Sequence, residues 1–210
     1  MQNAILSLVL FGFVAGGALG AAAGVAPDVQ AKATTEEVLE ILRTNKDIRT
    51  DPKKVTELVE AKILPHFDFT KMTRLAVGKG WRQASPQQQE ILAAEFKNLL
   101  VRTYGLSLTQ YKNETVDFKP LKMEPDATDV TVKTQIKRAS GGQPIAVDYS
   151  MEKSSSGWKI YDVTIEAVSL VTTYRGSFAD EIQRAGIDGL ISHLQQKNRD
   201  AGSSSASAGR

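Results

Sequence analysis

The sequence predicts an α+β fold, in which helices and an antiparallel sheet occupy separate parts of one chain. Apolar residues recur at helical spacing over most of residues 34–111 and again near the C-terminal end. Across 130–165 apolar and polar residues alternate instead, and glycine-containing turn sequences at 140–143 and 154–157 divide this region into strands. A single domain over 34–197 holds all these elements, without a repeat or an internal linker.

The first 23 residues have the pattern of an export leader. No charged residue precedes Asp28, and 4–23 is a run of Ala, Leu, Val, Ile, Phe and Gly. Small residues at 21–23 suit signal peptidase, and Ala31 is an alternative cleavage site. The competing interpretation is an uncleaved anchor, because about 20 apolar residues are enough to cross a bilayer. Cleavage is favoured, since small-residue ends are typical of processing sites.

Four helices are predicted before the sheet, each from an N-cap residue, a capping box or a proline at the first helical position. They cover 34–44, 51–65, 69–77 and 85–104. The pattern of the fourth and longest helix is compatible with an extension past Gly105 to Tyr111.

Four strands are predicted, at 114–119, 130–137, 145–151 and 157–165. The last strand raises a question about its surroundings. Trp158 and Ile160 share one face, whereas Tyr161, Val163 and Ile165 fall on the opposite face. A strand that is apolar on both faces is either enclosed in a core or lies against a cavity that something other than protein fills.

Two helices are predicted after the sheet. The first carries an apolar residue at every fourth position from Leu170 and ends near Gly186, and the second begins at Asp188. Residues 198–210 are mostly Ser, Ala and Gly, which predicts a disordered tail. The helices after the leader are amphipathic, so no stable membrane insertion is expected once the leader is removed.

Composition excludes several classes of function. The chain has 26 Lys and Arg against 24 Asp and Glu, and a net charge of +2 does not indicate nucleic-acid binding. The absence of cysteine excludes disulfides, thiolate metal sites and a cysteine nucleophile. The two histidines, His66 and His193, lack metal-binding spacing, and no cofactor motif is present.

A catalytic interpretation is the weakest of the alternatives. The only hydrolase that can be assembled uses Ser169, His66 and Asp162. The same residues have plain structural roles as a helix cap, a turn histidine and an acid at a strand end. We therefore expect a protein that is not an enzyme.

A cationic stretch lies between Asp68 and Glu90, where no acidic residue occurs. Its cations surround Trp81 and are Lys71, Arg74, Lys79 and Arg82. A solvated face is the simplest interpretation of these charges. The functional alternative is contact with a lipid head group, a membrane surface or an acidic partner.

Four separate blocks of the sequence resemble the MlaC family of periplasmic phospholipid-binding proteins, also called toluene-tolerance proteins. The blocks are ILPHFDF, LAVGKGWRQASPQQQ, EFKNLLVRTYG and YDVTIEAVSLVTTYRGSF, which begin at residues 63, 75, 95 and 161. The resemblance extends from about residue 34 to 195. Gly80 departs from it, since a bulkier side chain is expected beside the tryptophan.

The resemblance implies a carrier that needs no cofactor and helps to maintain the lipid asymmetry of the outer membrane and tolerance to organic solvents. Its implied partners are an outer-membrane lipoprotein–porin complex and an inner-membrane ABC transporter with an MCE-domain protein. The implied fold is a curved sheet wrapped by five or six helices, with acyl chains between them. One face of the strand at 158–165 is then expected to pack on protein and the other to face lipid.

The residues expected to contact lipid lie on the longest helix, the sheet and the helix that follows the sheet. They are Leu100, Tyr104, Leu108, Val132, Ile145, Val147, Tyr149, Ile160, Val163, Ile165, Leu170 and Tyr174. Two alternatives remain at this stage. The ligand could be another apolar molecule, such as a fatty acid or an isoprenoid, or the core could be full and the protein an interaction module.

Overall fold

The computed structural model describes residues 24–111 and 113–207, and the predicted leader at 1–23 lies outside them. Six α-helices occur within these residues: α1 Pro27–Thr44, α2 Lys46–Thr50, α3 Pro52–Leu58, α4 Phe69–Val77, α5 Pro86–Tyr104 and α6 Leu170–Ser207. A π turn, Val59–Ile63, and 3-10 turns at Leu64–His66, Gly78–Arg82 and Gly105–Gln110 connect them. The strands are β1 Thr115–Phe118, β2 Asp129–Lys137, β3 Ile145–Ser154, β4 Gly157–Ile165 and β5 Val168–Ser169. The predicted α+β class is confirmed.

Three helix starts lie where the sequence predicts them, because side chains satisfy the free backbone amides of the first turn. Asp51 accepts a hydrogen bond from the amide of Lys53 at 2.9 Å, and Asp68 accepts one from the amide of Lys71 at 2.8 Å. Ser85 starts α5 with a complete capping box. The extension after α5 is a 3-10 segment and not a continuation of the α-helix.

The predicted start of the first helix at Thr34 is wrong. Helix α1 begins at Pro27, with proline in its first turn and Asp28 beside the positive end of the helix dipole. Thr34 lies inside the helix, where its hydroxyl donates a hydrogen bond to the carbonyl of Gln30 at 3.1 Å. The earlier residues are held in place because Ala31 is buried against the sheet. Helix-capping residues in the sequence do not indicate this contact, so they do not predict the true start of α1.

The five strands form one open antiparallel sheet in the order β1-β2-β3-β4-β5. The short β5 was not predicted, and it leaves most of the outer edge of β4 without a strand partner in the described sheet. The segment after α3 covers that edge instead, since Phe67 forms a parallel bridge with Ile160 and the Asp68 amide donates to the Ile160 carbonyl at 2.8 Å.

A β-bulge at Tyr161 answers the question raised by β4. Ser150 on β3 pairs with Asp162, but the next residue, Met151, pairs with Ile160, so Tyr161 is an extra residue in β4. The bulge shifts the alternation of faces by one position. The prediction that β4 is apolar on both faces is therefore wrong. Trp158 and Ile160 belong to the same buried cluster as Val163 and Ile165.

Tyr161 itself makes polar contacts away from that cluster. Its hydroxyl donates to Asp129 at 3.0 Å, and the ammonium of Lys71 lies 3.6 Å from its ring centroid. Burial and the neighbouring carboxylate of Asp129 raise the pKa of Tyr161 to about 12, so its hydroxyl stays protonated as a donor.

In the described part of the chain, three buried clusters join the elements. The largest joins α4, α5 and α6 around Phe96, which is completely buried and makes edge-on ring contacts with Tyr174 and Phe178 at 5.0 and 5.2 Å. The second covers one face of the sheet. The third joins α1 to α3 through Leu42 and Leu58.

Helix α6 contains the break that was predicted at Gly186, where the backbone has φ 70° and ψ −171°. It then continues as helix to Ser207, into the segment 198–210 for which the composition predicts disorder. The first residue of that segment is ordered by contacts with α5. Asn198 is 7% exposed, and its amide donates to the carbonyl and the carboxylate of Glu95 at 3.0 and 2.6 Å.

Gly80, where the resemblance leads us to expect a bulkier side chain, is buried beside α6. A Cβ at this position would lie 2.7 Å from Cδ1 of Ile182, which is closer than ordinary van der Waals contact. A bulkier side chain would require Ile182 to move. Glycine thus lets the turn Gly78–Arg82 approach α6 closely.

Candidate functional site

A cavity of about 390 Å³ lies between the sheet and the helical part of the molecule. One wall is formed by β1 to β4, including Val147, Met151 and Ile160, and the facing wall by α1, the turns at 59–66 and the C-terminal end of α5. This volume is within the range of about 300–1,000 Å³ that is typical of small-molecule sites.

Among the described residues that line the cavity there is no Asp, Glu, Lys or Arg. The polar side chains of the lining are Gln30, Thr34, Thr35, His66, Tyr104 and Tyr149. Burying an unpaired charge in such surroundings would cost several kcal/mol or more, whereas apolar surface gains about 25 cal/mol per Å². The cavity is therefore suited to hydrocarbon and unsuited to a charged group.

Tyr149 is the polar group on the sheet side of the cavity. It hydrogen bonds with Thr134, whose hydroxyl donates to the carbonyl of Val147 at 2.6 Å. Burial raises the pKa of Tyr149 above its usual value, and the Thr134 contact offsets part of this effect. The hydroxyl is thus neutral and bonded, which leaves the aromatic ring as an apolar surface.

The structure brings nine of the twelve predicted lipid-contact residues to the cavity wall. They are Leu100, Tyr104, Leu108, Val147, Tyr149, Ile160, Val163, Ile165 and Leu170. The other three do not line it. Val132 is completely buried within the sheet cluster, Ile145 packs at the edge of that cluster, and Tyr174 packs against Phe96.

Sequence reasoning missed the lining residues of α1 and of the segment that follows α3. They are Gln30, Ala31, Thr34, Thr35, Val38, Leu39, Val59, Ile63, Leu64, His66, Phe67, Phe69 and Met72. Apolar stripes in both segments were visible, but a stripe does not show whether a helix faces a full core or a cavity.

Comparison with known proteins identifies the family. Residues 32–196 match the family described as MlaC protein. The chain belongs to the MlaC family. This match includes all the described strands and every residue that lines the cavity except Gln30 and Ala31.

Two relatives and one solved structure carry names that bear on function. The "Intermembrane phospholipid transport system binding protein MlaC" of Haemophilus influenzae is 25% identical over 195 residues, which are 91% of this chain and 90% of the relative. The "Toluene tolerance protein ttg2D" of Pseudomonas putida is 27% identical over 157 residues, 74% of this chain and 72% of that protein. A phospholipid-binding protein from Ralstonia solanacearum, solved in complex with a phospholipid, is 38% identical with a TM-score of 0.77 and covers 83% of this chain and 98% of its own.

The four cations of the stretch around Trp81 do not share one environment in the structure. Lys71 is only 13% exposed, and its ammonium lies 3.0 Å from Glu152 and 3.7 Å from Asp129. The structure therefore places Lys71 in an internal polar contact with the sheet. The side chains of Arg74, Lys79 and Arg82 are exposed, and none forms an ion pair with another residue in the described part of the chain.

The hydrolase interpretation is wrong, because the three residues do not form a relay. Ser169 donates directly to a carboxylate oxygen of Asp162 at 2.5 Å, and its oxygen accepts from the Thr172 amide at 3.0 Å. His66 instead has both ring nitrogens within hydrogen-bond distance of α1 side chains. Ser169 is the N-cap of α6, and Asp162 on β4 accepts a hydrogen bond from the Ser169 hydroxyl.

We expect Asp162→Ala to lower the free energy of unfolding by about 2 kcal/mol, because the carboxylate also accepts from the Val171 amide at 3.1 Å and so joins β4 to α6. In a chain of this size that loss corresponds to a fall of about 4–8 °C in the melting temperature. Asp162→Asn keeps one acceptor oxygen and should lose less than half as much. Equal losses in the two variants would contradict the assigned hydrogen bonds.

Within 24–111 and 113–207, no cluster of His, Cys, Asp and Glu side chains has the arrangement of a metal site. None of the helices in this part of the chain is both long enough and apolar enough to cross a membrane.

Proposed function

We propose that this protein is a periplasmic carrier that binds phospholipid in the cavity between sheet and helices. It takes lipid from one membrane complex and delivers it to another, between the outer and the inner membrane. The leader at 1–23 directs export and is then removed. The single observation that supports this proposal best is the cavity of about 390 Å³ with no charged side chain among its described lining residues. The family match and the phospholipid-bound relative support it independently.

The physical chemistry of lipid transfer explains why such a cavity is needed. Exposing two acyl chains of roughly 16 carbons to water costs on the order of 25 kcal/mol, at about 0.8 kcal/mol per methylene. A phospholipid therefore does not cross an aqueous compartment alone at a useful rate. A carrier must shield the chains from water, whereas the charged head group can remain in contact with solvent. The carrier performs no bond-breaking step.

Lipid extraction from protein purified without detergent tests the proposal. We expect phospholipid to be the main species in the mass spectrum of the organic extract. A fatty acid or an isoprenoid in its place would identify a carrier of another ligand. Purified protein with no extractable lipid, and no uptake of phospholipid from vesicles, would favour an interaction module and overturn the proposal.

The proposed partners are an inner-membrane ABC transporter with an MCE-domain protein and an outer-membrane lipoprotein–porin complex. Arg74, Lys79 and Arg82 are the exposed cations of the acid-free stretch, on α4 and the turn that follows it. Cations presented on one surface accelerate association with an acidic partner or with anionic lipid. Lys71 is excluded from this docking surface, since it is paired internally.

Reversing two of these charges, with Arg74→Glu and Arg82→Glu together, is expected to slow association with the acceptor complex about tenfold at low salt and to weaken the salt dependence. Lipid already bound in the isolated protein should be unaffected, because neither residue lines the cavity. The matched control reverses Lys53 and Lys54, two exposed cations of α3. Equal slowing in the control would show a general charge effect and would argue against this docking surface.

A further inference from the structure

A network of hydrogen bonds attaches the N-terminal half of α1 to the rest of the cavity wall. The side-chain amide of Gln30 donates to the carbonyl of Trp158 at 2.8 Å and accepts from the Trp158 amide at 3.3 Å. The same Nε2 atom lies 3.3 Å from Nδ1 of His66. Gln30 thus contacts both the exposed edge of β4 and the turn Leu64–His66. Gln30 and His66 line the cavity.

The backbone of Trp158 determines the orientation of the Gln30 side-chain amide, because the Trp158 carbonyl needs a donor and the Trp158 N–H needs an acceptor. Nε2 of Gln30 is therefore a donor toward His66, and Nδ1 of His66 must accept. The ring is then neutral, with its proton on Nε2, which donates to the hydroxyl of Thr34 at 3.1 Å. The Thr34 hydroxyl in turn donates a hydrogen bond to the backbone carbonyl of Gln30 at 3.1 Å. Every donor in this network faces an acceptor.

A second proton on His66 breaks this network. Protonated Nδ1 would be a donor facing the donor Nε2 of Gln30. Rotating the Gln30 amide by half a turn would present its oxygen to His66. The same rotation would place that oxygen against the Trp158 carbonyl, which is also an acceptor, and the Gln30 NH₂ group against the Trp158 N–H, which is also a donor. No orientation of the amide satisfies both neighbours. The N-terminal half of α1 therefore loses its polar contacts with β4 or with the turn when His66 is charged.

The charged groups around His66 also favour the neutral ring. Burial lowers the pKa of His66 below its usual value, and Lys159 on β4 lowers it further, whereas Glu37 on α1 opposes them. The ammonium of Lys159 is held near the histidine by the Pro65 carbonyl at 2.5 Å, and Glu37 is paired with Lys62 of the π turn at 2.5 Å. Because folding lowers the pKa of His66, the neutral histidine makes its full contribution to stability above its usual pKa of about 6.5. This contribution is lost as the pH falls through the pKa that His66 has in the folded protein.

The C-terminal half of α1 does not depend on this network. Val38 and Leu42 are buried in the cluster with Leu58, whereas the N-terminal half buries only the small side chains of Pro27 and Ala31, and Val29 is 54% exposed. Loss of the Gln30 contacts therefore opens the helix from its N-terminal end, on the side where His66 and Gln30 line the cavity.

We propose that Gln30, Thr34 and His66 form a proton-sensitive latch, which holds α1 over the cavity when His66 is neutral and releases it on acidification. The ligand is the lipid of the proposed function, and this inference rests on that proposal. Release of the latch speeds the exchange of bound lipid, because the N-terminal half of α1 forms part of the cavity wall.

Lipid transfer measured at two pH values tests the latch. The protein is loaded with a phosphatidylethanolamine that carries a fluorescent group on an acyl chain, and transfer to phosphatidylcholine vesicles is followed at about pH 7.5 and about pH 5. We expect about a tenfold faster transfer at the lower pH for the wild-type protein. His66→Gln, which cannot be protonated, should change less than about twofold between the two conditions.

The matched control is His193→Gln, which removes the other histidine of the chain from an exposed position on α6. It should retain the full acid response. Equal acid responses in the His66 and His193 variants would overturn the latch.

Hydrogen exchange of the wild-type protein tests the latch without any variant. Corrected for intrinsic rates, amides at 30–36 on α1 should lose protection on acidification, whereas those at 92–100 on α5 should not. Unchanged protection of α1 would overturn the latch. If the protein takes up no phospholipid at either pH, the proposed function fails. The hydrogen-exchange result then still decides whether the contacts of Gln30 and His66 open on acidification.

Discussion

Val147→Trp is expected to remove bound phospholipid and to leave the lipid-free protein folded. Val147 lines the cavity from β3, between Thr134 on β2 and Ile165 on β4. An indole at this position can extend into space that acyl chains would fill, so its volume is not forced into packed atoms. We expect at least about a tenfold fall in phospholipid per protein. Mass spectrometry of the extract measures this fall.

The matched control is Val132→Trp on the neighbouring strand. Val132 is completely buried and does not line the cavity. The same increase in volume at this position meets a dense interior and should lower the stability by about 1–3 kcal/mol or more. Melting temperatures must be compared after removal of lipid, because a bound ligand raises the apparent stability. A Val147→Trp protein that keeps its full lipid load, or that unfolds like the control, would argue against lipid in this part of the cavity.

The second large effect is on stability, at Phe96 of α5. Phe96 is completely buried, and its ring contacts Tyr174 and Phe178 where α5 packs on α6. Phe96→Ala is expected to lower the free energy of unfolding by about 3–5 kcal/mol, because the ring leaves a void that these helices cannot fill. Urea denaturation of the lipid-free protein measures this change through the midpoint.

Phe67→Ala provides the comparison within the same residue type. Phe67 stacks on Phe69 with ring centroids 5.5 Å apart, but it lines the cavity and is only partly buried. Its removal enlarges an existing space and should cost about 1–2 kcal/mol. Its effect on lipid retention should exceed that of Phe96→Ala. A larger loss of stability at Phe67 than at Phe96 would show that the cavity wall, and not the helix cluster, dominates the stability.

Local chemistry was enough to predict most elements of this fold. Asp51, Asp68 and Ser85 start helices where the sequence places them, because each cap satisfies amides within three residues of itself. Alternation of apolar and polar residues predicted the strands. The tolerance of glycine for positive φ predicted the break at Gly186. The start of α1 could not be predicted in this way, since packing of Ala31 on the sheet extends the helix beyond its capping signals.

The sequence by itself determined the fold class, the family and nine of the residues that line the cavity. Tertiary structure alone decided which face of β4 these residues share, because the extra residue Tyr161 changes the alternation only through pairing with β3. It also decided that Lys71 is paired and mostly buried, since its partners Asp129 and Glu152 lie far away in sequence. Apolar periodicity is the same for a helix over a full core and a helix over a cavity. The cavity exists because α1 and the segment after α3 are held at the edge of the sheet by Gln30 and Phe67, and such contacts arise only when distant parts of the chain meet.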